Sequence, residues 1–243
     1  MSPSADELAR RLSLPRVELF AEVGSTLDIA HDRAAAGAVA GTLIVAEAQT
    51  AGRGRMGRVW QSAPGAGVWL TLIERPVDRA ALDVLSLRVG LAVATALEPL
   101  VGETLGLKWP NDVYRAGRKL GGILVEARWR GDVPDWVAIG VGLNVRTPPD
   151  QPAAIGLEST GVSRIDALCA IVPPIHAAAQ AVGPLSASEL LAFAARDIAR
   201  GKRVTWPVSG VVQGIDGSGA LVVETAEGPT RVQAGSLVLE GDQ

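Results

Sequence analysis

Residues 49–60 read Gln-Thr-Ala-Gly-Arg-Gly-Arg-Met-Gly-Arg-Val-Trp, and positions 52–58 alone hold three arginines and three glycines. Neither a helix nor a strand favours this composition, because glycine loses much conformational freedom on ordering and clustered guanidinium groups repel one another. A glycine-hinged loop with arginine forks is suited to closing over phosphates and carboxylates. Taken alone, this arginine loop (residues 52–60) is equally compatible with a solvated surface loop or with an Arg-Gly tract that contacts RNA.

Two apolar, β-rich runs flank the arginine loop and predict strands at residues 42–48 and 67–73. Similar patterns predict further strands at residues 16–22, 107–109, 122–130 and 136–145. Helical spacing predicts helices at residues 5–12, 27–36, 85–97, 162–182 (interrupted at Pro173-Pro174) and 187–201. Tight turns at Ala116-Gly117-Arg118 and Gly131-Asp132 join successive strands, so we predict an α+β fold with a mixed, largely antiparallel sheet.

The character of the chain changes after the last predicted helix. Short strands are predicted at residues 203–206, 210–215, 221–224 and 230–233, then at Val238, with glycine-rich turns between them. Five short strands in so short a segment are typical of a small SH3-like β-barrel. We therefore predict two domains, residues 1–199 and residues 200–243, and expect the smaller one to pack on the larger.

Composition excludes several classes of protein. A chain of 243 residues with 48% hydrophobic and 20% charged residues has the material for a proper core, and a net charge of −3 argues against nucleic-acid binding over the whole surface. The single cysteine, Cys169, excludes an intramolecular disulfide and a cysteine-based zinc cluster. Two histidines leave little material for a Ser-His-Asp triad. Because the sequence has no secretory signal and no long apolar run, we expect a soluble cytoplasmic protein without membrane association.

Polar or glycine-rich segments follow several of the predicted strands, where a rigid sheet commonly presents a site. They are Gly24-Ser-Thr26, Lys108-Trp-Pro-Asn-Asp112, Arg118-Lys-Leu-Gly-Gly122 and Gly140-Val-Gly-Leu-Asn144. Each has a structural alternative: Ser25 or Thr26 as a helix cap, Asp112 in an Asx-turn, Lys119 as solvated charge, and the Gly140 segment as a bulge. Trp60 and Trp109 can stack on a flat ring or simply anchor their loops.

Four segments of the chain, taken together, resemble the biotin protein ligases in residue identity, order and spacing. They are Gln49 through Trp60, Lys108 through Asp112, Lys119-Leu-Gly-Gly-Ile-Leu-Val-Glu126, and Gly140 through Asn144. The likeness extends over nearly the whole chain, including the C-terminal segment. It implies a biotin/lipoate ligase-like catalytic domain followed by the small barrel.

The resemblance implies a two-step reaction with ATP and biotin as substrates and Mg²⁺ as the accompanying ion. Biotin's carboxylate attacks the α-phosphate to give biotinyl-5′-AMP, and a lysine of a biotin carboxyl carrier protein then takes the biotin and releases AMP. Cationic side chains suit this chemistry, because a carboxylate approaching a polyphosphate meets like charge.

Residue roles follow from the same resemblance. The catalytic residues implied are Arg55, Lys108, Asp112 and Lys119, with Asp112 orienting or deprotonating the acceptor lysine. The biotin site implied comprises Ser25, Thr26, Gln49, Gly52, Arg53, Gly54, Arg55, Lys119 and Gly122. The ATP site implied comprises Arg53, Arg55, Arg58, Trp60, Lys108, Asn111 and Asn144, with Asp112 and Asn144 as metal candidates.

One position departs from the family pattern. Leu27 follows Ser25-Thr26, where the family commonly has asparagine or another polar residue, and we expect weaker biotin binding as a result. Only about fifteen residues precede the first predicted strand, too few for a helix-turn-helix module, so sequence-specific DNA binding is not expected. The resemblance leaves a homodimer open.

Three alternatives stay open at this point. A lipoyl or octanoyl ligase on the same fold would be told apart by the acid that drives ATP–pyrophosphate exchange. An RNA-binding module built on the Arg-Gly loop would show a steep salt dependence of RNA affinity. A biotin-binding protein that has lost catalysis is disfavoured by the presence of Lys108, Asp112 and Lys119.

Overall fold

The computed structural model of the chain describes residues 3–75 and 78–241. The helices of these residues are α1 (Ala5–Leu12), α2 (Thr26–Ala35), α3 (Arg79–Asp83), α4 (Leu85–Val101), α5 (Arg164–Ala179) and α6 (Ala187–Ala194). The strands before α5 are β1 (Arg16–Val23), β2 (Thr42–Gln49), β3 (Gly67–Glu74), β4 (Gly106–Lys108), β5 (Asp112–Arg115), β6 (Arg118–Arg130) and β7 (Val133–Asn144). The later strands are β8 (Arg203–Trp206), β9 (Gly210–Ile215), β10 (Leu221–Thr225), β11 (Gly228–Val232) and β12 (Val238–Leu239).

The larger sheet has seven strands in the order β1-β2-β3-β7-β6-β5-β4. Strand β1 runs parallel to β2, and every other neighbouring pair is antiparallel. The turn from β5 to β6 places Ala116 and Gly117 at φ of 46° and 74°, and the turn from β6 to β7 places Gly131 at 62°. The prediction of an α+β fold with a mixed, largely antiparallel sheet is confirmed.

Both faces of the sheet centre are covered, which explains why all eight residues of β3 are buried. Alternate residues of a strand point to opposite faces. Leu43 and Leu72 therefore join the main core with α4 and α5, whereas Ile44 and Ile73 pack with α2 on the other face. Ser25 caps the first turn of α2 and fixes where that helix begins, at the edge of the motif Gly24-Ser-Thr26.

Two predicted helices differ from those observed. Helix α5 continues through Pro173 and Pro174, where an interruption was expected, and its neighbours Ile171 and Ile175 are fully buried. Burial on both sides of the prolines keeps the helix in register despite the lost backbone donors. Helix α6 ends at Ala194 instead of residue 201, because the following backbone pairs with β4: Leu107 N–H donates to the Arg196 carbonyl at 2.7 Å.

Sequence patterns also missed two short elements, α3 and β5. Strand β5 has only four residues, and its identity as a strand depends on pairing with β4 and β6 on either side. So short a segment shows no apolar periodicity of its own. It matters for the site because it begins at Asp112 and places that carboxylate opposite Gly122 of β6.

The C-terminal strands form a separate five-stranded antiparallel sheet in the order β11-β10-β9-β8-β12. The predicted strands are all present, within two residues of the expected bounds. Strands β11 and β12 are the two edge strands and do not pair with each other, so within the described residues the sheet is open rather than a closed barrel. This sheet contacts the larger part of the molecule: the Trp109 indole N–H donates to the Gly219 carbonyl at 3.0 Å.

Within the part of the chain that is described, no helix combines the length and the apolar character that a membrane crossing requires.

Candidate active site

A cleft of about 310 Å³ gathers side chains from all the motif segments. Its walls come from the start of α2, the end of β2, the arginine loop, the segment between β4 and β5, and the middles of β6 and β7. The sequence-predicted residues that line it are Ser25, Thr26, Gln49, Arg53, Gly54, Arg55, Arg58, Trp60, Lys108, Asn111, Asp112, Lys119 and Gly122. Segments scattered over about 120 residues of sequence thus meet at one cleft, because the sheet brings their strands together.

The arginine loop folds back on itself as an irregular hairpin. Gln49 N–H donates to the Ser62 carbonyl at 3.1 Å, Trp60 N–H to the Gly52 carbonyl at 2.9 Å, and Gly54 N–H to the Arg58 carbonyl at 2.7 Å. Gly52 does not line the cleft; a Cβ there would lie 2.4 Å from the Trp60 carbonyl oxygen. Glycine at this position therefore allows the two arms of the hairpin to approach closely.

Trp60 lies across two glycines of the sheet. A Cβ on Gly142 would lie 2.5 Å from Nε1 of the Trp60 indole, and one on Gly122 would lie 3.4 Å from its Cζ3. The ring packs edge-on against Trp69 at a centroid separation of 6.4 Å, and the Lys119 Nζ lies 5.4 Å from the Trp60 ring centroid. The glycines in β6 and β7 thus provide the space that this indole occupies.

Replacing Gly142 with alanine is expected to displace the Trp60 indole, because the new methyl would overlap it. If Trp60 supports a nucleotide base, the KM for ATP should rise about tenfold or more, since stacking of a base on an aromatic ring is worth about 1–3 kcal/mol. Steady-state ATP titrations measure this effect. Gly217→Ala is the matched control, because a Cβ there makes only an ordinary contact with the Leu185 carbonyl at 3.6 Å. Equal KM values in both variants would contradict the role of Gly142.

An ion pair lies on the wall formed by β5 and β6, and an arginine of the arginine loop reaches the segment just before β5. The Lys119 ammonium lies 2.7 Å from Asp112 Oδ1, and the Arg55 guanidinium reaches Asn111 Oδ1 at 3.4 Å. Asn111 is itself held by its amide, which donates to the Ile123 carbonyl at 2.8 Å. Burial lowers the pKa of the Arg55 guanidinium, the Asp112 carboxylate raises it, and the Arg58 cation lowers it again. Arginine starts from so high a pKa that Arg55 remains charged.

The Arg53 guanidinium forms ion pairs with two carboxylates. Its guanidinium lies 2.9 Å from Asp28 and 3.3 Å from Glu126. Glu126 also contacts His31 Nε2 at 2.8 Å, while the Trp136 indole N–H donates to His31 Nδ1 at 3.0 Å. Because the indole can only donate, His31 Nδ1 accepts, and the ring proton therefore lies on Nε2 and faces Glu126.

The floor of the cleft is polar at one end and apolar at the other. Thr26 and Gln49 are joined there by hydrogen bonds of 2.8 and 3.1 Å to Gln49 Oε1. Beside them, Leu27 is 3% exposed and lies with Ala30, Ile44 and Ile73 in the apolar cluster under α2. Leu27 thus adds a hydrocarbon wall to the cleft.

If the cleft binds biotin, as the resemblance of the sequence implies, Leu27→Asn is expected to strengthen that binding several-fold by adding one hydrogen bond. The same change places an amide among apolar side chains, so the free energy of unfolding should fall by about 1–3 kcal/mol. Calorimetric titration with biotin and thermal unfolding measure the two effects separately. Unchanged affinity would show that position 27 makes no contact with the ligand.

Not every predicted residue lines the cleft, and several residues that do were not predicted. Asn144, at the end of β7, is 4% exposed, pairs with Gly67 and lies outside the lining. Gln151 from the proline-rich segment and Ser236 and Leu237 from the C-terminal sheet line it unexpectedly. Nothing local in the sequence marks these three, because only the packing of distant segments brings them to the cleft.

Asp112 and the Asn111 amide supply oxygen ligands in the part of the cleft that holds the cationic side chains. Within the described residues, no group of three or more His, Cys, Asp and Glu side chains is arranged to hold a metal ion. This donor set fits an Mg²⁺ ion that arrives with substrate phosphates, since Mg²⁺ in such sites takes one or two protein carboxylates and keeps phosphate and water ligands.

Comparison with known families gives a direct assignment. Residues 23–144 match the biotin/lipoate A/B protein ligase family, and residues 202–239 match the biotin protein ligase C-terminal domain. The chain belongs to the biotin/lipoate A/B protein ligase family. Within this family, the C-terminal match together with relatives more than 30% identical identifies it as a biotin protein ligase. The two matched ranges contain all the cleft residues named above except Gln151.

Individual relatives agree with the family assignment. The biotin–[acetyl-CoA-carboxylase] ligase of Mycobacterium tuberculosis is 36% identical over 243 aligned residues, covering 92% of this chain and 88% of that protein. The biotin protein ligase from Aquifex aeolicus, solved in complex with biotin and ATP, has a TM-score of 0.77 at 26% identity and covers 93% and 99% of the two chains. The biotin protein ligase from Leishmania major in complex with biotinyl-5-AMP has a TM-score of 0.64 at 25% identity and covers 90% and 99%.

Proposed function

We propose that this protein is an ATP-dependent ligase that forms biotinyl-5′-AMP and transfers biotin to a lysine of a biotin carboxyl carrier domain. The observation that carries the proposal is the convergence of five cationic side chains on one cleft. These side chains are Arg53, Arg55, Arg58, Lys108 and Lys119. The other end of this cleft holds the hydrogen-bonded polar side chains of Thr26 and Gln49, with the apolar Leu27 beside them. The relatives named above support biotin and ATP as the substrates.

Adenylate formation requires a carboxylate to approach a polyphosphate. At a separation of 4 Å and an effective dielectric near 20, each pair of unit like charges costs about 4 kcal/mol. Fixed cations at the cleft offset this repulsion and stabilise the charge that develops on the α-phosphate. A carboxylate oxygen of biotin forms the new bond to phosphorus, the bond from the α-phosphorus to the bridging oxygen breaks, and pyrophosphate leaves.

The individual contacts follow from position in the cleft. We place the ureido ring of biotin at the polar end beside Ser25, Thr26 and Gln49, with its carboxylate towards Arg53 and Arg55. Lys119 then faces the junction between carboxyl and phosphate, and Trp60 supports the adenine. We place Arg58, Lys108 and Asn111, which also line the cleft, on the side of the phosphates. Asn144 and Gly52 lie behind this surface and act through the backbone that they position.

Transfer requires an uncharged amine on the carrier. Lysine has an unperturbed pKa near 10.4, so a base at the cleft must take its proton as it attacks. We assign this role to Asp112, whose carboxylate lies at the cleft beside Lys119. The amine nitrogen bonds to the acyl carbon, the bond from that carbon to the phosphate oxygen breaks, and AMP leaves.

The C-terminal segment is proposed to be a second domain that contributes to the cleft. We propose a catalytic domain over residues 1–199 and a small SH3-like domain over residues 200–243, supported by the separate sheet and by the separate family match at residues 202–239. Ser236 and Leu237 bring this unit to the cleft, and Ser236 Oγ contacts Met56 Sδ in the arginine loop at 3.3 Å. The carrier of acetyl-CoA carboxylase is the proposed protein substrate.

The test is ATP–pyrophosphate exchange driven by a panel of acids. Biotin, lipoate and octanoate are each supplied with MgATP and labelled pyrophosphate, and only biotin is expected to support exchange. Exchange driven by lipoate or octanoate alone would assign the protein to lipoyl transfer. If none of the three acids supported exchange, adenylate formation at this cleft would be refuted.

A further inference from the structure

A chain of hydrogen bonds lies beneath the polar end of the cleft. The Thr71 hydroxyl donates to Thr26 Oγ1 at 2.9 Å, and the Thr26 hydroxyl donates to Gln49 Oε1 at 3.1 Å. The Gln49 amide then donates to Ser62 Oγ at 2.8 Å, and the Ser62 hydroxyl donates to the Trp60 carbonyl at 3.3 Å. We call this chain of five residues the Thr71–Trp60 relay. It starts in the middle of β3 and ends at the last residue of the arginine loop.

The direction of the relay is fixed by one backbone group. The Thr26 N–H lies 2.8 Å from Gln49 Oε1, and because a backbone N–H can only donate, that atom must be the amide oxygen. The amide nitrogen therefore faces Ser62. The Thr26 hydroxyl donates its only hydrogen to Gln49, so Thr71 must be the donor in the hydrogen bond between the two threonines.

The side chains of the relay are buried, so the loss of any of its hydrogen bonds should carry a free-energy cost. Thr71 is fully buried, Thr26 is 3% exposed and Ser62 is 5% exposed. Water has little access to replace a lost partner, and a buried polar group without one is destabilised. Hydrogen bonds in such a chain also polarise one another, which strengthens each link.

The relay sets which hydrogens remain for a ligand. Gln49 uses one amide hydrogen on Ser62 and has a second, while Ser25 Oγ accepts from the Leu27 N–H without using its own hydrogen. Both residues line the cleft. The polar end of the cleft therefore presents hydrogen-bond donors, which suits a carbonyl oxygen such as that of a ureido ring.

We infer that Thr71 and Ser62 are positioning residues for biotin, an inference that rests on the proposed function. Thr71 does not line the cleft, and it acts by holding Thr26 as a donor to Gln49. Ser62 holds the other end of the Gln49 amide and ties it to the Trp60 carbonyl. The biotin end and the nucleotide end of the cleft thus share one hydrogen-bonded chain.

The decisive variant is Thr71→Val, which keeps the shape of the side chain and removes the donor. The KM and Kd for biotin should rise about five- to tenfold, the effect of one lost hydrogen bond, while kcat and the KM for ATP stay unchanged. Thr71→Ser restores the donor and should restore biotin binding. Thr42→Val is the matched control: Thr42 is also fully buried, on the adjacent strand, and its hydroxyl donates to the Val39 carbonyl at 2.8 Å.

A second variant keeps the test valid if Thr71→Val does not fold. Ser62→Ala breaks the link between Gln49 and Trp60, so the KM values for biotin and for ATP should both rise. Ser188→Ala, at an exposed serine of α6, is its control. Thermal unfolding of every variant establishes that it is folded at the assay temperature.

Calorimetric titration with biotin separates the inference from the proposed function. Weaker binding in Thr71→Val and Ser62→Ala, with the controls at the wild-type value, supports the inference even if exchange activity fails. Wild-type affinity in both relay variants, or an equal loss in Thr42→Val, would overturn it. A wild-type protein that binds no biotin would overturn both the inference and the proposed function.

Discussion

Replacement of Lys119 by alanine is expected to lower the rate of biotin-dependent ATP–pyrophosphate exchange about 10²- to 10³-fold. Such a loss is typical when one preorganised group that stabilises transition-state charge is removed. The Lys119 ammonium lies 2.7 Å from Asp112 and over the Trp60 ring, where we propose that the biotin and nucleotide ends of the cleft meet. Initial rates of exchange at saturating biotin and MgATP measure the effect.

Lys202→Ala is the matched control for this variant. Lys202 is an exposed lysine that precedes β8 and lies outside the cleft lining. Its replacement removes the same charge from the chain and should leave the exchange rate unchanged. If the two variants exchanged at equal rates, Lys119 would have no role in adenylate formation.

Asp112→Asn is expected to separate the two half-reactions. Asparagine cannot accept a proton from the attacking lysine, so transfer to the carrier should slow about 10²-fold or more, the usual contribution of a general base. Adenylate formation should persist, because Lys119 and Arg55 keep their charges and the Asn111 amide keeps its contact with Arg55. Single-turnover transfer from preformed biotinyl-5′-AMP measures one step, and pyrophosphate exchange measures the other.

The control for this prediction is Asp132→Asn, at the exposed turn between β6 and β7. It makes the same chemical change outside the cleft lining and should alter neither step. An equal loss of exchange and transfer in Asp112→Asn would instead assign Asp112 to the positioning of Lys119, with which it forms an ion pair.

Local patterns in the sequence predicted most of the fold. Apolar runs of strand length located β1, β2, β3, β6 and β7, and the Ser25 cap marked the start of α2 within one residue. The end of α6 could not be predicted, because the backbone of Arg196 and Ile198 pairs with β4, more than eighty residues earlier in the chain. Intrinsic helix propensity was overridden there by a contact that no local pattern encodes.

The candidate site was predictable to the extent that its residues lie in contiguous motifs. The arginine loop and the Lys108 and Lys119 segments all reach the cleft. The pairing of Arg53 with Glu126 joins residues that are 73 positions apart, and it depends on the order of strands in the sheet. Thr71 carried a weak signal, a hydroxyl in the middle of the apolar run Gly67–Glu74, but its partner Thr26 could be found only in three dimensions.

In the proposed reaction, this cleft activates biotin with ATP and delivers it to a protein lysine. The most direct measurement is transfer of labelled biotin to a purified biotin carboxyl carrier domain, with MgATP present or omitted. We predict transfer that requires MgATP, is abolished in Arg55→Ala, and persists in Arg10→Ala, whose exposed arginine lies on α1. Transfer that persisted in Arg55→Ala, or no transfer by the wild-type protein despite biotin and MgATP, would contradict the account.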